Sequence, residues 1–175
     1  MKLPLKLNNN NDIYYNCTKP YSYNCFIYLI DGGRGIGKTT TFCIDGIKQS
    51  EKGNEFIYLR RYKPEIKKFV NKDTLGTILD GIVYKGDGSG GYTALYEDTT
   101  LGYLISLSTA RSYKSVDFSK VTRIIFDEAI VKETPSYRYL EDEITTLLEF
   151  ISSVVRTRTG VKSIILGDNE EIFKP

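Results

Sequence analysis

The stretch Gly32-Gly33-Arg34-Gly35-Ile36-Gly37-Lys38-Thr39 decides how this chain of 175 residues folds. It fits the pattern Gly-x-x-x-x-Gly-Lys-Ser/Thr at every fixed position. A short apolar run of strand length, Cys25 to Ile30, precedes it, and Lys38 to Lys48 follows as a predicted helix. Glycines between a strand and a helix let backbone N–H groups turn toward a phosphate, and the positive end of the helix points at the same place. These residues, with Thr40, are therefore predicted to bind the phosphates of a nucleotide.

Three side chains of this loop have predicted chemical roles. Lys38 would reach the β- and γ-phosphates of ATP, and the Thr39 hydroxyl would sit on Mg²⁺. Arg34 could touch the nucleotide bound by its own chain. A glycine-rich turn can match so short a pattern by chance, but a chance match does not require a strand before it and a helix after it. The sequence thus predicts ATP and Mg²⁺ as ligands.

A second motif follows the apolar run Val121 to Phe126, which reads as a buried strand. The next two residues are Asp127 and Glu128, and strand ends beside a phosphate site carry the chemistry in parallel sheets. Asp127 is predicted to hold Mg²⁺ through water, and Glu128 to orient and polarise the water that attacks ATP. The alternative is a solvated acidic turn after a core strand. A glutamate after the aspartate favours hydrolysis over mere nucleotide binding.

Other segments complete an alternation of strands and helices. Glu55 to Leu59 reads as a second strand, Pro64 opens a short helix, and Leu140 to Val155 carries apolar residues at helical spacing. Residues 82–108 contain short strand-like runs separated by turn sequences, which is typical of β-hairpins. Val161 to Leu166 reads as a last strand. The pattern predicts a single three-layer α/β domain with a mainly parallel central sheet and a β-hairpin insertion before the strand that carries the acidic pair.

The composition excludes several classes of protein. With 41% hydrophobic and 26% charged residues the chain is typical of a soluble globular protein, and a net charge of +2 restricts nucleic-acid binding to a local patch. Three cysteines, Cys17, Cys25 and Cys43, with no histidine, argue against a zinc site and a disulfide framework. No apolar run is long enough to span a membrane, and the first residues do not read as a signal peptide. A cytoplasmic protein is expected.

Two other classes of nucleotide-binding protein fit less well. Asn71-Lys72-Asp73 is similar to the guanine-reading Asn-Lys-x-Asp, but its aspartate comes one residue early and it precedes the acidic pair, so a GTPase is not expected. A small-molecule kinase would usually have a basic lid and a substrate pocket, and it would lack the glutamate at position 128. ATP hydrolysis remains the favoured chemistry.

Three strings give the chain a family resemblance. They are Gly33 to Lys38, then Glu55 to Tyr58 with Arg-Arg-Tyr-Lys-Pro-Glu at 60–65, then Ile125 to Glu128. In this order and spacing, from about Tyr14 to Leu166, the chain resembles the DNA-packaging, or encapsidation, ATPases of small tailed bacteriophages. The Arg-Arg-Tyr-Lys-Pro-Glu string is far more specific than either nucleotide motif.

The resemblance implies an assembly and a task. Copies of the chain would form a homomeric ring, a pentamer, on the capsid portal (connector) protein of an empty capsid, and ATP would drive double-stranded DNA inward. The fold would belong to the additional-strand, catalytic-glutamate branch of P-loop ATPases. The implied location is the cytoplasm of the infected bacterial host, with transient docking on the procapsid. The resemblance leaves open whether a structural packaging RNA takes part.

Family members also carry a nuclease-like C-terminal domain. Residues 1–175 do not contain one, so the chain is interpreted as the single P-loop ATPase motor domain of a truncated protein. The family's last core strand commonly ends in a small residue plus asparagine, whereas this one ends Leu166-Gly167-Asp168-Asn169. Either Asp168 or Asn169 is therefore expected to sense the γ-phosphate.

Further roles rest on the resemblance and on charge. Arg156 falls where the family places an arginine that completes the neighbouring subunit's site, although an arginine at a helix end can simply complement the helix dipole. Lys114 matches a second trans-acting basic position, with a solvated loop lysine as the alternative. Arg60, Arg61 and Lys63 could line a pore and contact DNA phosphates, whereas a basic run is more often plain surface. Three tyrosines could stack on adenine or serve only in packing: Tyr14, Tyr15 and Tyr21.

Two other functions stay open from the sequence. One is a helicase-type or other nucleic-acid-remodelling ATPase, which would share both nucleotide motifs. The other is a non-hydrolysing, nucleotide-gated assembly module. Glu128 favours an enzyme over the module, because only hydrolysis needs a group that polarises water.

Overall fold

The computed structural model describes residues 2–7, 16, 18–130, 134 and 137–168. Within this part of the chain one sheet of seven strands is flanked by helices. The strands are β1 (Ile27–Ile30), β2 (Glu55–Arg60), β3 (Val83–Gly86), β4 (Tyr92–Tyr96), β5 (Thr99–Ser106), β6 (Val121–Ile130) and β7 (Lys162–Gly167). The helices are α1 (Thr18–Tyr21), α2 (Lys38–Ser50), α3 (Lys63–Asn71) and α4 (Glu143–Val155), with a 3₁₀ helix at Leu107–Tyr113.

The strand order across the sheet is β1-β7-β6-β2-β5-β4-β3. The first five strands are parallel, and β3 and β4 add an antiparallel hairpin beside β5. The predicted mainly parallel sheet is thus confirmed. Strand β7 lies between β1 and β6, so one strand separates the strand that enters the glycine-rich loop from the strand that carries the acidic pair. Because parallel strands align their carboxyl ends, the loop and the acidic pair lie at one edge of the sheet.

Two hydrophobic clusters cover the two faces of the sheet. On one face α2 and α3 bury Phe42, Ile47 and Ile66 against the strands. On the other, α4 and the 3₁₀ helix bury residues such as Leu147 and Phe150. A strand can contribute to both clusters, because successive side chains of a strand point to opposite faces of the sheet. The result is the predicted layering of helices on both faces of a sheet.

Two local signals in the sequence position the helices of the first face. Gly37 precedes α2 with φ of 80°, a left-handed conformation that glycine adopts at low cost. Pro64 lies in the first turn of α3, where its missing N–H costs nothing. The Glu65 carboxylate accepts a hydrogen bond from the Tyr62 backbone N–H at 2.7 Å, which caps the start of α3.

Some boundaries differ from the predicted ones. Helix α4 begins at Glu143 rather than Leu140, because the Glu143 carboxylate accepts a hydrogen bond from the Leu140 N–H at 3.0 Å and holds the preceding residues in a non-helical turn. Strand β6 runs on through the acidic pair to Ile130. The 3₁₀ helix after β5 was not predicted. No helix in the described ranges has the length and apolarity needed to cross a membrane.

Candidate nucleotide-binding site

A cleft of about 490 Å³ opens at the carboxyl ends of the central parallel strands. Residues from the glycine-rich loop, from the ends of β2 and β6, and from α3 line it. Among them are Arg34, Thr39, Tyr58, Arg60, Asp127 and Glu128. The two sequence motifs, 88 residues apart at Thr39 and Asp127, therefore share one cleft.

The Lys38 ammonium lies inside the glycine-rich loop. It donates hydrogen bonds to the carbonyl oxygens of Gly32 at 2.7 Å and Gly33 at 2.8 Å, and it pairs with Asp168 at 2.9 Å. Its side chain is only 5% exposed. Gly35 has φ of 80°, which lets the loop turn its backbone inward. The positive charge is thus held at the centre of the loop, where phosphate oxygens would lie.

Thr39 and Asp127 supply the predicted metal donors. The Thr39 hydroxyl lies 3.0 Å from each carboxylate oxygen of Asp127, and it donates a hydrogen bond to that carboxylate. Hydroxyl and carboxylate oxygens are the donors that Mg²⁺ prefers, and Mg²⁺ keeps several waters when it binds proteins beside phosphates. This donor set therefore fits a Mg²⁺ ion held partly through water.

Asp127 accepts hydrogen bonds from other side chains of the cleft as well. The Tyr58 hydroxyl donates to it at 2.7 Å and Arg60 at 3.1 Å. Burial, followed by the negative charge of Asp127, raises the pKa of Tyr58 well above its ordinary value, so the phenol keeps its proton and stays a donor. The same two causes raise the pKa of the buried Cys43 thiol, which is therefore no nucleophile at neutral pH.

Glu128 stands out of the regular strand. Its φ is 52°, in the left-handed region, and its side chain is 34% exposed beside the cleft. Its carboxylate pairs with Arg60, which also pairs with Glu65 at 3.2 Å. Burial alone lowers the pKa of Arg60, but the negative charges around it outweigh burial and leave its pKa above the ordinary value. Arg60 is thus a permanent cation that orients the acidic side chains of the cleft.

Arg61 points to the opposite face of the sheet and is 1% exposed. Its guanidinium pairs with both oxygens of Glu143, at 2.5 and 2.8 Å. Arg61 is therefore buried and Arg60 faces the cleft, and both are held in ion pairs with carboxylates, so neither presents the free basic surface that the predicted contact with DNA would need. Lys63 alone of this basic run is exposed.

The end of β7 brings another predicted residue to the loop. Asp168 contacts Lys38, and Arg34 reaches the same carboxylate at 3.4 Å while remaining 66% exposed. Of the two residues expected to sense the γ-phosphate, Asp168 thus lies at the loop, and Asn169 lies outside the described residues. Thr40 is in the first turn of α2 and Ile36 in the loop itself.

The two predicted trans-acting residues lie away from this cleft. Arg156 is exposed directly after α4, just before the start of β7, and hence at the amino end of the strands. Lys114 is exposed after the 3₁₀ helix and lines a shallow depression with Glu149 and Ser153 of α4. Both residues are therefore on the α4 side of the molecule. Arg156 lies at the amino end of the strands and Glu128 at the carboxyl end, so Arg156 does not reach the Glu128 of its own chain.

Tyr21 has a packing role at the far end of the sheet. Its hydroxyl donates to Asp45 at 2.7 Å, and its ring makes edge contacts with Tyr28 and Phe42. The structure thus favours the packing alternative over adenine stacking for Tyr21. Tyr14 and Tyr15 lie outside the described residues.

Sequence reasoning missed Tyr58, Glu65 and the site role of Arg60. A signal was present, since Tyr58 and Arg60 are two residues apart at the end of one strand and so share a face. Their meaning depended on β2 lying next to β6, with Tyr58 opposite Ile125 and Leu59 opposite Phe126. That strand order could not be derived from the pattern of residues along the chain.

Comparison with known proteins gives consistent results. The family model of the podovirus DNA encapsidation protein (Gp16) matches residues 9–175. The chain is 33% identical over 171 residues to a DNA packaging protein of Bacillus phage phi29, which covers 95% of this chain and 49% of that protein. A DNA packaging protein of Bacillus phage B103 is 34% identical over 156 residues, covering 88% and 47%. The chain thus spans about half the length of these curated relatives.

A solved structure has the same fold. The N-terminal domain of the DNA packaging ATPase from bacteriophage phi29 superposes with a TM-score of 0.74 at 30% identity, over 94% of this chain and 84% of that one.

Proposed function

The chain belongs to the family of podovirus DNA encapsidation proteins, and we propose that it is the ATP-hydrolysing part of a phage DNA-packaging motor. The observation that carries the proposal is the meeting of Thr39 with Asp127 and Glu128 in one cleft, next to the loop that holds the Lys38 ammonium. Strand β7 between β1 and β6 supports assignment to the additional-strand, catalytic-glutamate branch of P-loop ATPases.

Each side chain has a separate task in the proposed reaction. Lys38 and the backbone N–H groups of the loop bind and orient the β- and γ-phosphates. Thr39 and Asp127 would hold Mg²⁺, which neutralises developing phosphate charge when bound. Glu128 accepts a proton from the attacking water and directs that water at the γ-phosphate. Arg60 orients Asp127 and Glu128 by pairing with both.

The motor assignment comes from the family rather than from the cleft. The Bacillus phage phi29 relative is a DNA packaging protein, and a similar structure is that of the bacteriophage phi29 viral genome packaging motor assembly, with a TM-score of 0.69 at 30% identity over 94% of this chain and 50% of that one. For this chain the proposed partners are double-stranded DNA, the capsid portal protein and further copies of itself in a ring. In such a ring Arg156 and Lys114 would complete the site of a neighbouring copy. A helicase-type ATPase would need the same cleft, and the dependence of ATP hydrolysis on DNA and portal distinguishes it from a packaging motor.

Substitutions in the cleft test hydrolysis. Lys38→Ala is expected to weaken ATP binding by at least about 30-fold, since the phosphates lose a buried positive charge. Glu128→Gln is expected to keep ATP binding and to slow single-turnover hydrolysis by at least about 100-fold. Lys52→Ala and Glu97→Gln, at exposed positions, serve as controls that keep the wild-type values. Binding is measured by titration with Mg-ATP, and hydrolysis with the purified chain in excess over ATP. Failure of the wild type to hydrolyse ATP at protein concentrations where copies associate would refute the proposed activity.

The coupling to DNA needs the full-length protein on portal-bearing capsids. ATPase rates are compared with and without double-stranded DNA. Stimulation by double-stranded DNA that depends on the portal supports packaging. Equal stimulation by single-stranded DNA without capsids would instead favour a helicase-type enzyme.

A further inference from the structure

Arg61 uses all of its hydrogen-bonding capacity inside the protein. A guanidinium has five N–H donors in a rigid fork. Three of them bond to side chains: Nε and one Nη2 hydrogen reach Glu143, and one Nη1 hydrogen reaches the Tyr137 hydroxyl at 2.9 Å. The other two bond to backbone carbonyl oxygens, of Glu128 at 3.3 Å and of Ala129 at 2.8 Å.

Those two carbonyl oxygens belong to an irregular part of β6. Phe126 pairs with Ile165 of β7, and Ile130 with Gly167, so four steps on β6 match two on β7. The extra residues form a bulge that includes Glu128, whose left-handed φ of 52° costs a non-glycine residue free energy. A conformation of this kind persists only where surrounding contacts determine it. The Arg61 guanidinium supplies such contacts by donating to the two carbonyl oxygens of the bulge.

We propose that Arg61 is a positioning residue for ATP hydrolysis, whose guanidinium fixes the Glu128–Ala129 backbone so that the Glu128 carboxylate faces the cleft. The inference rests on the proposed function of Glu128. Arg61 does not touch the Glu128 side chain, and it acts through the backbone alone.

Two further features fit a positioning role. Arg61 is itself fixed, because its carbonyl accepts a hydrogen bond from the Ser108 N–H at 3.0 Å and its guanidinium lies over the rings of Tyr137 and Tyr139. A buried ion pair is also a poor way to gain stability, since hydrophobic residues of similar volume often stabilise as well or better. A fork that grips two carbonyls and a carboxylate at once has a geometric use that a hydrophobic residue or a lysine cannot replace.

Arg61→Lys tests this geometry, because it keeps the positive charge and loses the fork. The expected result is ATP affinity within about twofold of the wild type and single-turnover hydrolysis slowed by about 10- to 100-fold, the usual range for a supporting residue. The matched control is Arg123→Lys at the start of β6. The Arg123 guanidinium pairs with Asp45 at 2.5 Å, and this ion pair lies away from the cleft. It should lower the melting temperature without slowing hydrolysis. Equal hydrolysis rates for Arg61→Lys and the wild type would overturn the proposal.

A double variant separates positioning from a general structural defect. If Arg61 acts only through Glu128, Arg61→Lys should slow hydrolysis no further when Glu128→Gln is already present, since residues that act as a unit are non-additive. A further tenfold loss in the double variant would contradict positioning. If Arg61→Lys does not fold, the isosteric Glu143→Gln replaces it, because it removes the carboxylate that holds the Arg61 guanidinium. The same single-turnover hydrolysis rate is then measured. A Glu143→Gln variant that hydrolyses ATP at the wild-type rate would overturn the proposal.

The wild type and Glu128→Gln are measured in the same series. A wild type that does not hydrolyse ATP at protein concentrations where copies associate refutes the proposed function itself. A wild type that hydrolyses ATP, beside an Arg61→Lys variant that does so equally well, refutes only the role of Arg61.

Discussion

The two ends of the parallel strands use charged side chains in opposite ways. At the carboxyl end, Asp127 accepts hydrogen bonds from Thr39, Tyr58 and Arg60 and from the backbone N–H of Glu128, beside an open cleft. At the amino end, Arg158 donates to the carbonyl oxygens of residues 118, 119, 121 and 154, which closes the junction of α4 with the start of β6.

The difference lies in what the polar groups satisfy. At the amino end one side chain donates to four backbone carbonyl oxygens at once, so its loss should cost stability. At the carboxyl end side chains satisfy one another, and a phosphate or a metal ion can take over several of these contacts. Substitutions at the carboxyl end should therefore change chemistry, and substitutions at the amino end should change the free energy of unfolding.

Arg156 is the proposed exception to this rule, and its substitution has the largest expected effect. It lies at the amino end, roughly 20 Å of helix from the start of α4. If it completes the site of a neighbouring copy, Arg156→Ala should bind ATP normally and lower turnover of the assembled ring by about 10³-fold or more. Turnover is measured at concentrations where copies associate, with assembly checked by sedimentation.

Mixing variants tests whether the effect acts between copies. Arg156→Ala mixed with Glu128→Gln should recover part of the activity, because some interfaces then pair an intact Glu128 with an intact Arg156. Arg158→Ala is the matched control, and it should lower the melting temperature while leaving turnover of the folded protein unchanged. Normal turnover by Arg156→Ala alone would remove the exception, and the residue would then only complement the helix dipole.

A tyrosine pair compares the two ends with one substitution. Tyr58→Phe removes the hydrogen bond to Asp127 and leaves the ring stacked on Phe69 at 4.2 Å. Tyr103→Phe removes the hydrogen bond to Glu55 at the amino end. Both should cost about 1 kcal/mol of stability. Only Tyr58→Phe is expected to raise the Mg²⁺ concentration for half-maximal hydrolysis, by about tenfold, because an unsupported carboxylate binds metal more weakly. The same Mg²⁺ dependence in both variants would contradict the comparison.

The sequence predicted the parts of the site whose chemistry is local. A strand, a glycine-rich loop and a helix place Lys38 and Thr39 with little dependence on the rest of the fold, and an acidic pair after an apolar strand is a local pattern too. The mainly parallel sheet followed from the alternation of strands and helices.

The adjacent arginines show where such reasoning stops. Arg60 and Arg61 form a basic run in the sequence, which favours a wet surface or a contact with DNA. In the fold they point to opposite faces of the sheet, one toward Asp127 and the other toward Glu143. Their partners lie 67 and 82 residues further along the chain. Only the strand order and the position of α4 bring these partners close, and neither could be derived from charge pattern.

The smallest expected effect concerns Glu55, a buried carboxyl at the start of β2. Burial raises the pKa of Glu55 above its ordinary value, and the hydrogen bond from Tyr103 and the charge of Lys120 offset this only in part. The folded protein therefore binds the Glu55 proton more tightly than the unfolded chain does. The stability that this group contributes is present below its unfolded pKa, near 4.5, and is lost as the pH rises through the higher folded pKa.

At neutral pH Glu55→Gln, which needs no charge in the interior, should raise the melting temperature by about 2 to 4 °C, on the order of 1 kcal/mol. The gain should shrink as the pH falls toward 4.5. Glu97→Gln, at an exposed turn, makes the same change of side chain outside the interior and is the matched control. Thermal melts of the three proteins between neutral and acidic pH check this. Hydrolysis should stay at the wild-type rate, since Glu55 is at the amino end, and a lower rate in the folded variant would break the division between the two ends of the sheet.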